Sequence, residues 1–248
     1  MKNYLNYISL SGNQLKIIAA VAMVIDHIGY LLFPDMIILR IIGRIAFPVF
    51  AFMIAEGCYY TKNKTKYFLS IFILGALCQI VYYFFDHSLE MGILITYSIS
   101  ILLIYLLDKM KTLCFADGTA KSKKFFSCFL FLAAVILVYI LNQYVDIDYG
   151  FCGILAPVVV SLVYPVKGRE NQGLKGRYRI SVQVLLLGLV LFAIGVKLGG
   201  FNIYLYIAIP LLLLYSGERG KYKMKYFFYV FYPTHLVILQ LICYLIEK

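Results

Sequence analysis

Few ionisable side chains interrupt the apolar stretches of this sequence, and those few are of types that do chemistry together. Asp26 and His27 are neighbours in Val24-Ile25-Asp26-His27-Ile28-Gly29. Arg40 and Arg44 follow, four residues apart and so on one helical face. Glu56 closes the second apolar stretch, and His235 lies within Tyr232-Pro233-Thr234-His235-Leu236. An imidazole moves protons near neutral pH or carries an acyl group. A guanidinium in a low-dielectric site stabilises a developing oxyanion. Each such group costs about 2.5–3.5 kcal/mol at mid-membrane on insertion scales, so each needs a reason to be there.

The elements that must hold these groups follow from composition. Of 248 residues, 63% are hydrophobic and only 14% charged, and the mean hydropathy is +0.87. A soluble domain is about 45–50% apolar and about 25% charged, so a soluble monomer is excluded. The expected fold is all-α: one polytopic membrane helix bundle over residues 1–248. Nine apolar stretches are read: Leu15–Phe33, Ile37–Gly57, Tyr67–Phe85, Met91–Leu107, Phe125–Tyr144, Gly150–Tyr164, Ser181–Leu198, Phe201–Tyr215 and Phe227–Ile246. The sixth and eighth are short and carry Pro157 and Pro210. Continuous apolar runs rather than alternation argue against barrel strands. The first stretch starts too far in, and runs too long, for a cleavable signal peptide.

The formal net charge of +11 is explained by where the bases lie. Lys62, Lys64 and Lys66 follow the second span, and Lys109, Lys111, Lys121, Lys123 and Lys124 the fourth. Lys167, Arg169, Lys175, Arg177 and Arg179 follow the sixth, and Arg219, Lys221, Lys223 and Lys225 the eighth. The odd connections hold Asp35, Asp86, Glu90, Asp146 and Asp148, with Lys197 as their one base. Lys/Arg excess marks cytoplasmic connections, which predicts the N-terminus inside and the C-terminus outside. The bases then read as topology signals rather than a nucleic-acid surface, although basic inner loops also attract phosphorylated ligands or lipid heads.

Six cysteines show no metal-ligand spacing and read as packing residues, with no disulfide or metal expected; Cys58 and Cys114 fall in inner connections. No phosphate-binding loop, GxSxG motif or internal repeat is evident. Depth arithmetic at about 1.5 Å per residue puts His27 and Arg44 each roughly 10 Å below the outer face. His235 comes to roughly 16 Å, and Arg40 lies shallower. Asp26 and His27 point about 100° apart, so Asp26 is open to pairing with Arg40 or Arg44. A bland alternative stands beside each reading. Asp26 and the arginines serve as a helix lock, His27 as a packed polar group and Glu56 as a solvated or capping group. His87 reads as solvated surface. Asp146-Ile147-Asp148-Tyr149-Gly150 is a helix cap or a contact to a polar acceptor.

These residues carry a resemblance. Leu15-Lys16-Ile17-Ile18-Ala19 leading to Asp26-His27-Ile28-Gly29, then Leu39-Arg40-Ile41-Ile42-Gly43-Arg44-Ile45-Ala46-Phe47-Pro48-Val49-Phe50-Ala51-Phe52, and Ala55-Glu56-Gly57 with Thr61, resemble the TraX family. Gln79, Tyr82, Asp148-Tyr149-Gly150 and Tyr229-Val230-Phe231-Tyr232-Pro233-Thr234-His235-Leu236 extend the likeness in order. The chain departs with Cys78-Gln79-Ile80-Val81-Tyr82, where Ser-Gln-x-Pro-Tyr is frequent, and with Met91-Gly92-Ile93, where an Asn is common.

The resemblance implies an integral membrane acyltransferase of a bacterial cytoplasmic membrane, related to the acyltransferase-3 enzymes and to heparan-glucosaminide acetyltransferase. It would take an acetyl group from cytoplasmic acetyl-CoA to an amine or hydroxyl acceptor at the outer face. Acceptors of this kind are a surface glycan, a lipid-linked sugar or a pilin-like N-terminus. The resemblance gives His27 the part of the essential histidine, and Arg40 and Arg44 that of the buried arginine pair. Asp26 would orient the set and His235 would serve as a second acid/base or positioning group. Glu56, Gln79, Asp148, Tyr149 and Tyr232 are the expected substrate contacts. Implied partners are the bilayer, acyl-CoA and the acceptor, with no metal and no nucleic acid. Direct transfer and an acyl-imidazole intermediate both remain open. The rival reading is a proton-coupled transporter using the same buried Asp/His/Arg set.

Overall fold

The computed structural model describes residues 9–86, 90–222 and 224–246. His87 and Lys223 lie outside the described residues. The described residues are helical apart from turns and two isolated bridges, Leu10 with Tyr215 and Met91 with Ile147. The helices are α1 Gly12–Leu31, α2 Ile37–Gly43, α3 Ala46–Tyr60, α4 Lys64–Asp86, α5 Ile93–Phe115 and α6 Lys121–Leu141. They continue as α7 Gly150–Leu162, α8 Gly176–Leu198, a 3-10 segment Gly200–Ile207, α9 Ala208–Leu213 and α10 Lys225–Ile246.

Seven helical segments among the described residues are long and apolar enough to cross a bilayer: Gly12–Leu31, Ile37–Tyr60, Lys64–Phe84, Ile93–Phe115, Lys121–Leu141, Gly176–Leu198 and Tyr226–Ile246. Two shorter apolar ones, Gly150–Leu162 and Gly200–Leu213, stand where the sixth and eighth spans were expected. The first of these short elements carries Pro157 inside its helix. The second opens on two glycines at positive φ, its cap Gly199 and its first residue Gly200, and is 3-10 helix over most of its length.

The second apolar run is continuous in sequence but broken in space. α2 stops at Gly43 and α3 starts at Ala46. Pro48 lacks the N–H that would meet the Arg44 carbonyl one turn back, so the helix cannot run through unbroken. The turn tightens instead, with Arg44 N–H to Ile41 O at 3.2 Å and Ile45 N–H to Ile42 O at 3.2 Å. The break falls on one of the two arginines singled out by the sequence.

α1 and α2 are antiparallel neighbours that approach very closely. A Cβ on Gly43 would come within 2.2 Å of the Asp26 side chain, and one on Gly29 within 2.7 Å of the Leu39 Cβ. Only a residue without a side chain fits at such a crossing. The glycines of the DHIG and RIIGR blocks therefore set the distance between the charged residues those blocks carry. α1 opens on a capping box, Ser11 with Gln14, and the 214–222 segment closes over its first turn. α3 and α5 form the buried centre, with Phe52, Ile101, Leu103 and Leu107 inside it. α6 packs on α5 and otherwise presents exposed Phe125, Phe129 and Ile136. Cys58 is buried within α3 and Cys114 lies in α5, rather than in connections, and the six cysteines are free thiols.

Candidate functional site

A cavity of about 1030 Å³ runs between α1, α3, α4 and α10. One end meets the acidic connections and is lined by Asp26, His27, Arg40, Arg44, Tyr82, Glu90, Asp148, Tyr149 and Tyr232. The other meets the basic connections and is lined by Asn13, Lys16, Glu56, Tyr60, Tyr215 and Arg219.

At the acidic end the α1–α2 crossing assembles a charge cluster. Arg44 Nη2 donates to both oxygens of Asp26 at 2.7 Å each. Arg40 Nη1 donates to Asp26 Oδ2 at 3.2 Å and to the Asp26 backbone carbonyl at 3.1 Å. Arg44 Nε donates to Arg40 O at 3.3 Å, and its Nη1 to the Tyr149 hydroxyl at 3.1 Å. The two arginine side chains are 20% and 11% exposed and the carboxylate 16%, which makes this a largely desolvated trio rather than a surface pair. Asp26 takes both candidate partners, and its neighbour His27 points elsewhere.

His27 meets His235. Nδ1 of His27 and Nε2 of His235 are 3.2 Å apart, and the ring centroids 5.1 Å. His235 Nδ1 lies 3.1 Å from the Phe231 carbonyl, which only accepts, so this nitrogen carries the proton. In neutral rings His235 Nε2 is then the acceptor, His27 Nδ1 the donor, and His27 Nε2 carries the lone pair. That lone pair is 3.4 Å from the Tyr82 hydroxyl. Pro233 sits inside α10 two residues before His235, and the rings of Phe231 and Tyr232 pack on that imidazole at 5.3 and 5.4 Å.

Tyr149 is in the left-handed region at φ 59, the one non-glycine residue at positive φ among the described residues. Its ring stacks on Phe47 at 4.0 Å while its hydroxyl meets Arg44. A tyrosine in that conformation costs about 1–3 kcal/mol, held here by the stack and the hydrogen bond. Beside it, burial first and then the Glu90 carboxylate push the Asp148 carboxyl up to about 7, against the pull of Arg44. Burial also raises the Tyr149 phenol, keeping it neutral.

Two expected substrate contacts stand differently. Gln79 shapes the turn at the mouth, donating from Nε2 to Glu90 O at 2.9 Å and accepting from Gly92 N–H at 3.2 Å. It is not part of the cavity wall described above. Glu56 is buried at the basic end, where it accepts from the Tyr164 hydroxyl and, at 2.9 Å, from the Tyr215 hydroxyl. Arg179 lies 3.8 Å from it. It is therefore a fully engaged carboxylate rather than a solvated cap. The sequence reading did not single out Tyr164 or Tyr215, two of 23 tyrosines, and it counted Arg179 and Arg219 among topology signals. The presence of a charge at Glu56 was the available clue that partners existed.

The model of the family described as TraX protein matches residues 11–243. The chain belongs to the TraX family. An uncharacterized protein of Rickettsia prowazekii (strain Madrid E) is 31% identical over 202 residues, covering 81% of this chain and 72% of its own length. A probable fimbrial assembly protein FimC, serogroup H1, of Dichelobacter nodosus is 26% identical over 246 residues, covering 94% and 95%. No solved structure matches. In this TraX-family chain the matched stretch takes in every side chain of both cavity ends.

Proposed function

We propose that this TraX-family protein is a transmembrane acetyltransferase of a bacterial cytoplasmic membrane, passing an acetyl group from cytoplasmic acetyl-CoA to an amine or hydroxyl at the outer face. The observation that carries the reading is the His27–His235 pair, which turns the His27 Nε2 lone pair towards the Tyr82 hydroxyl at the end of a cavity that extends to the basic loops. The basic end is the cytoplasmic one, with the N-terminus inside and the C-terminus outside. The two short elements, Gly150–Leu162 and Gly200–Leu213, complete nine crossings.

In the transfer step His27 Nε2 removes the proton from the acceptor O–H or N–H as that atom bonds to the thioester carbonyl carbon. The carbonyl oxygen becomes an oxyanion. Arg40 is the better oxyanion partner, because every hydrogen bond the described residues show for it comes from Nη1, whereas Arg44 uses three nitrogens. The C–S bond then breaks, the thiolate takes the proton from His27, and CoA leaves as the thiol. Asp26 keeps both arginines in place, and Asp148, Tyr149 and Tyr232 receive the acceptor. The relative described as a probable fimbrial assembly protein favours a pilin-like N-terminal amine.

The experiment is incubation of the purified protein in lipid nanodiscs with labelled acetyl-CoA and acceptor peptides or glycans, wild type beside His27→Ala. Acetylated product that disappears in the mutant is expected. Turnover unchanged in His27→Ala removes the mechanism. Proton-coupled uptake by proteoliposomes with no response to acetyl-CoA makes the protein a carrier instead.

A further inference from the structure

The basic end of the cavity contains a charge imbalance that the transfer step does not use. Lys16 lies one turn into α1 and lines the cavity. No hydrogen bond or ion pair of its ammonium occurs among the described residues, and the charges acting on it are Arg219 and Glu56. Glu56 offers little neutralisation, since its oxygens already accept from Tyr164 and Tyr215 with Arg179 alongside. Arg219 is of the same sign as Lys16 and stands exposed at the mouth, so the desolvated ammonium behind it gains a counter-charge only when an anion enters between them.

The loop that presents Arg219 is fixed in place. Gly12 N–H donates to Glu218 O at 2.7 Å and Asn13 N–H to Arg219 O at 3.0 Å, while Leu10 and Ser216 exchange bonds with Leu214 and Leu10 at 2.8 and 2.9 Å. Gly217 and Gly220 turn the chain at positive φ, and a Cβ on Gly220 would come within 2.9 Å of Ser11 Oγ. Arg219 is thereby held at the mouth above Lys16 by backbone bonds.

We propose that Lys16 and Arg219 form a binding site for the phosphate groups of a soluble ligand whose reactive end reaches His27. Lys16 and His27 share one helix, eleven positions apart, which at 1.5 Å per residue is about 16 Å. The ligand is therefore a phosphate ester or anhydride carrying a narrow arm of about that length, and a compact acyl phosphate is too short to occupy both ends. This rests on the acetyltransferase reading for the identity of the reactive end, but the anion site stands on the cation pair itself.

The test uses the full chain in phosphatidylcholine nanodiscs and measures binding of CoA and of pantetheine, its arm without phosphates. CoA is expected to bind at least about tenfold more tightly than pantetheine. Lys16→Gln and Arg219→Gln should each raise the CoA Kd about tenfold or more with pantetheine unaffected. Lys16→Arg should retain CoA affinity. Arg219 is exposed in a loop, so Arg219→Gln reports even if Lys16→Gln fails to fold. Equal affinity for CoA and pantetheine, or CoA binding indifferent to both Gln variants, overturns the site. CoA binding that depends on Lys16 without any acetyl transfer retains the site and removes the transferase reading. Exchange of the lipid for phosphatidylglycerol should leave CoA affinity unchanged. A loss of affinity that Arg219→Gln abolishes assigns the site to a lipid headgroup and overturns the soluble ligand.

Discussion

His27 Nδ1 faces His235 Nε2 at 3.2 Å, and the Phe231 carbonyl behind His235 settles which of the two nitrogens holds the proton. With both rings neutral, each is then an Nδ1–H tautomer, and the His27 Nε2 lone pair faces the Tyr82 hydroxyl. Nitrogen-15 spectra of histidine-labelled protein should show two Nδ1-protonated imidazoles among the three histidines. In His235→Ala the His27 ring loses its His235 contact. Acetyl transfer should fall about tenfold to a hundredfold in that variant, less than in His27→Ala, where a lost general base removes at least about a hundredfold.

Asp26 receives two arginines in a largely desolvated setting. Asp26→Asn leaves both cations without their counter-ion, and breaking a buried pair in this way costs about 3–5 kcal/mol. The unfolding midpoint in detergent should drop accordingly. In the double variant Asp26→Asn/Arg44→Gln the loss should be smaller than the sum of the two single losses, which a double-mutant cycle measures directly.

Gly43 should tolerate no side chain. Gly43→Ala places a Cβ 2.2 Å from Asp26, and α1 and α2 must separate to admit it. Acetyl transfer and thermal stability should both fall. Gly188→Ala is the control, since the nearest atom there is the Ile209 Cδ1 at 3.7 Å, and it should melt at the wild-type temperature.

Asp148 predicts a pH dependence. Its carboxyl is raised to about 7 in the folded protein, while an unfolded chain has the ordinary value of about 3.9. Below about 4 both states hold the proton, and the group does not oppose folding. Between about 4 and about 7 only the folded state holds it, so stability falls as pH rises through that window. Above about 7 the effect levels off. Melting temperatures from pH 4.5 to 7.5 should decline in the wild type and flatten in Asp148→Asn.

Tyr149→Phe keeps the stack on Phe47 and removes the hydroxyl from Arg44. Stability should change by about 1 kcal/mol or less, the size of one hydrogen bond. Acetyl transfer should fall more than stability, because Arg44 loses one of the contacts that hold it.

Much of the site was readable before any coordinates. The rarity and cost of ionisable groups in apolar runs singled out Asp26, His27, Arg40, Arg44 and His235, and depth arithmetic brought His235 towards His27 across 208 positions. Periodicity also separated Asp26 from His27. It did not reveal the break at Arg44, because Pro48 in an apolar run reads equally as a first-turn proline or as a kink. Nor did it reveal the partners of Glu56. Tyr164 and Tyr215 look like any other aromatic residue near a helix end, and their hydroxyls gain meaning only when α7 and the end of α9 converge on α3. Arg219 was hidden for the opposite reason. A base in a basic connection already has an explanation as a topology signal, and only the cavity wall, where Arg219 stands beside Lys16, shows a second one.

The close crossing of α1 and α2 has a consequence for how the chain enters the bilayer. Inserted one helix at a time, Asp26, Arg40 and Arg44 would each carry an unpaired charge into the apolar layer, at a cost of up to about 2.5–3.5 kcal/mol for a residue at its centre. The two helices are joined by only residues 32–36, and the glycines let the carboxylate meet both guanidiniums at once. Paired as a hairpin, three expensive passengers become a compact unit of single net charge. The charge cluster at the crossing thereby favours exit of the first two helices from the translocon as one hairpin.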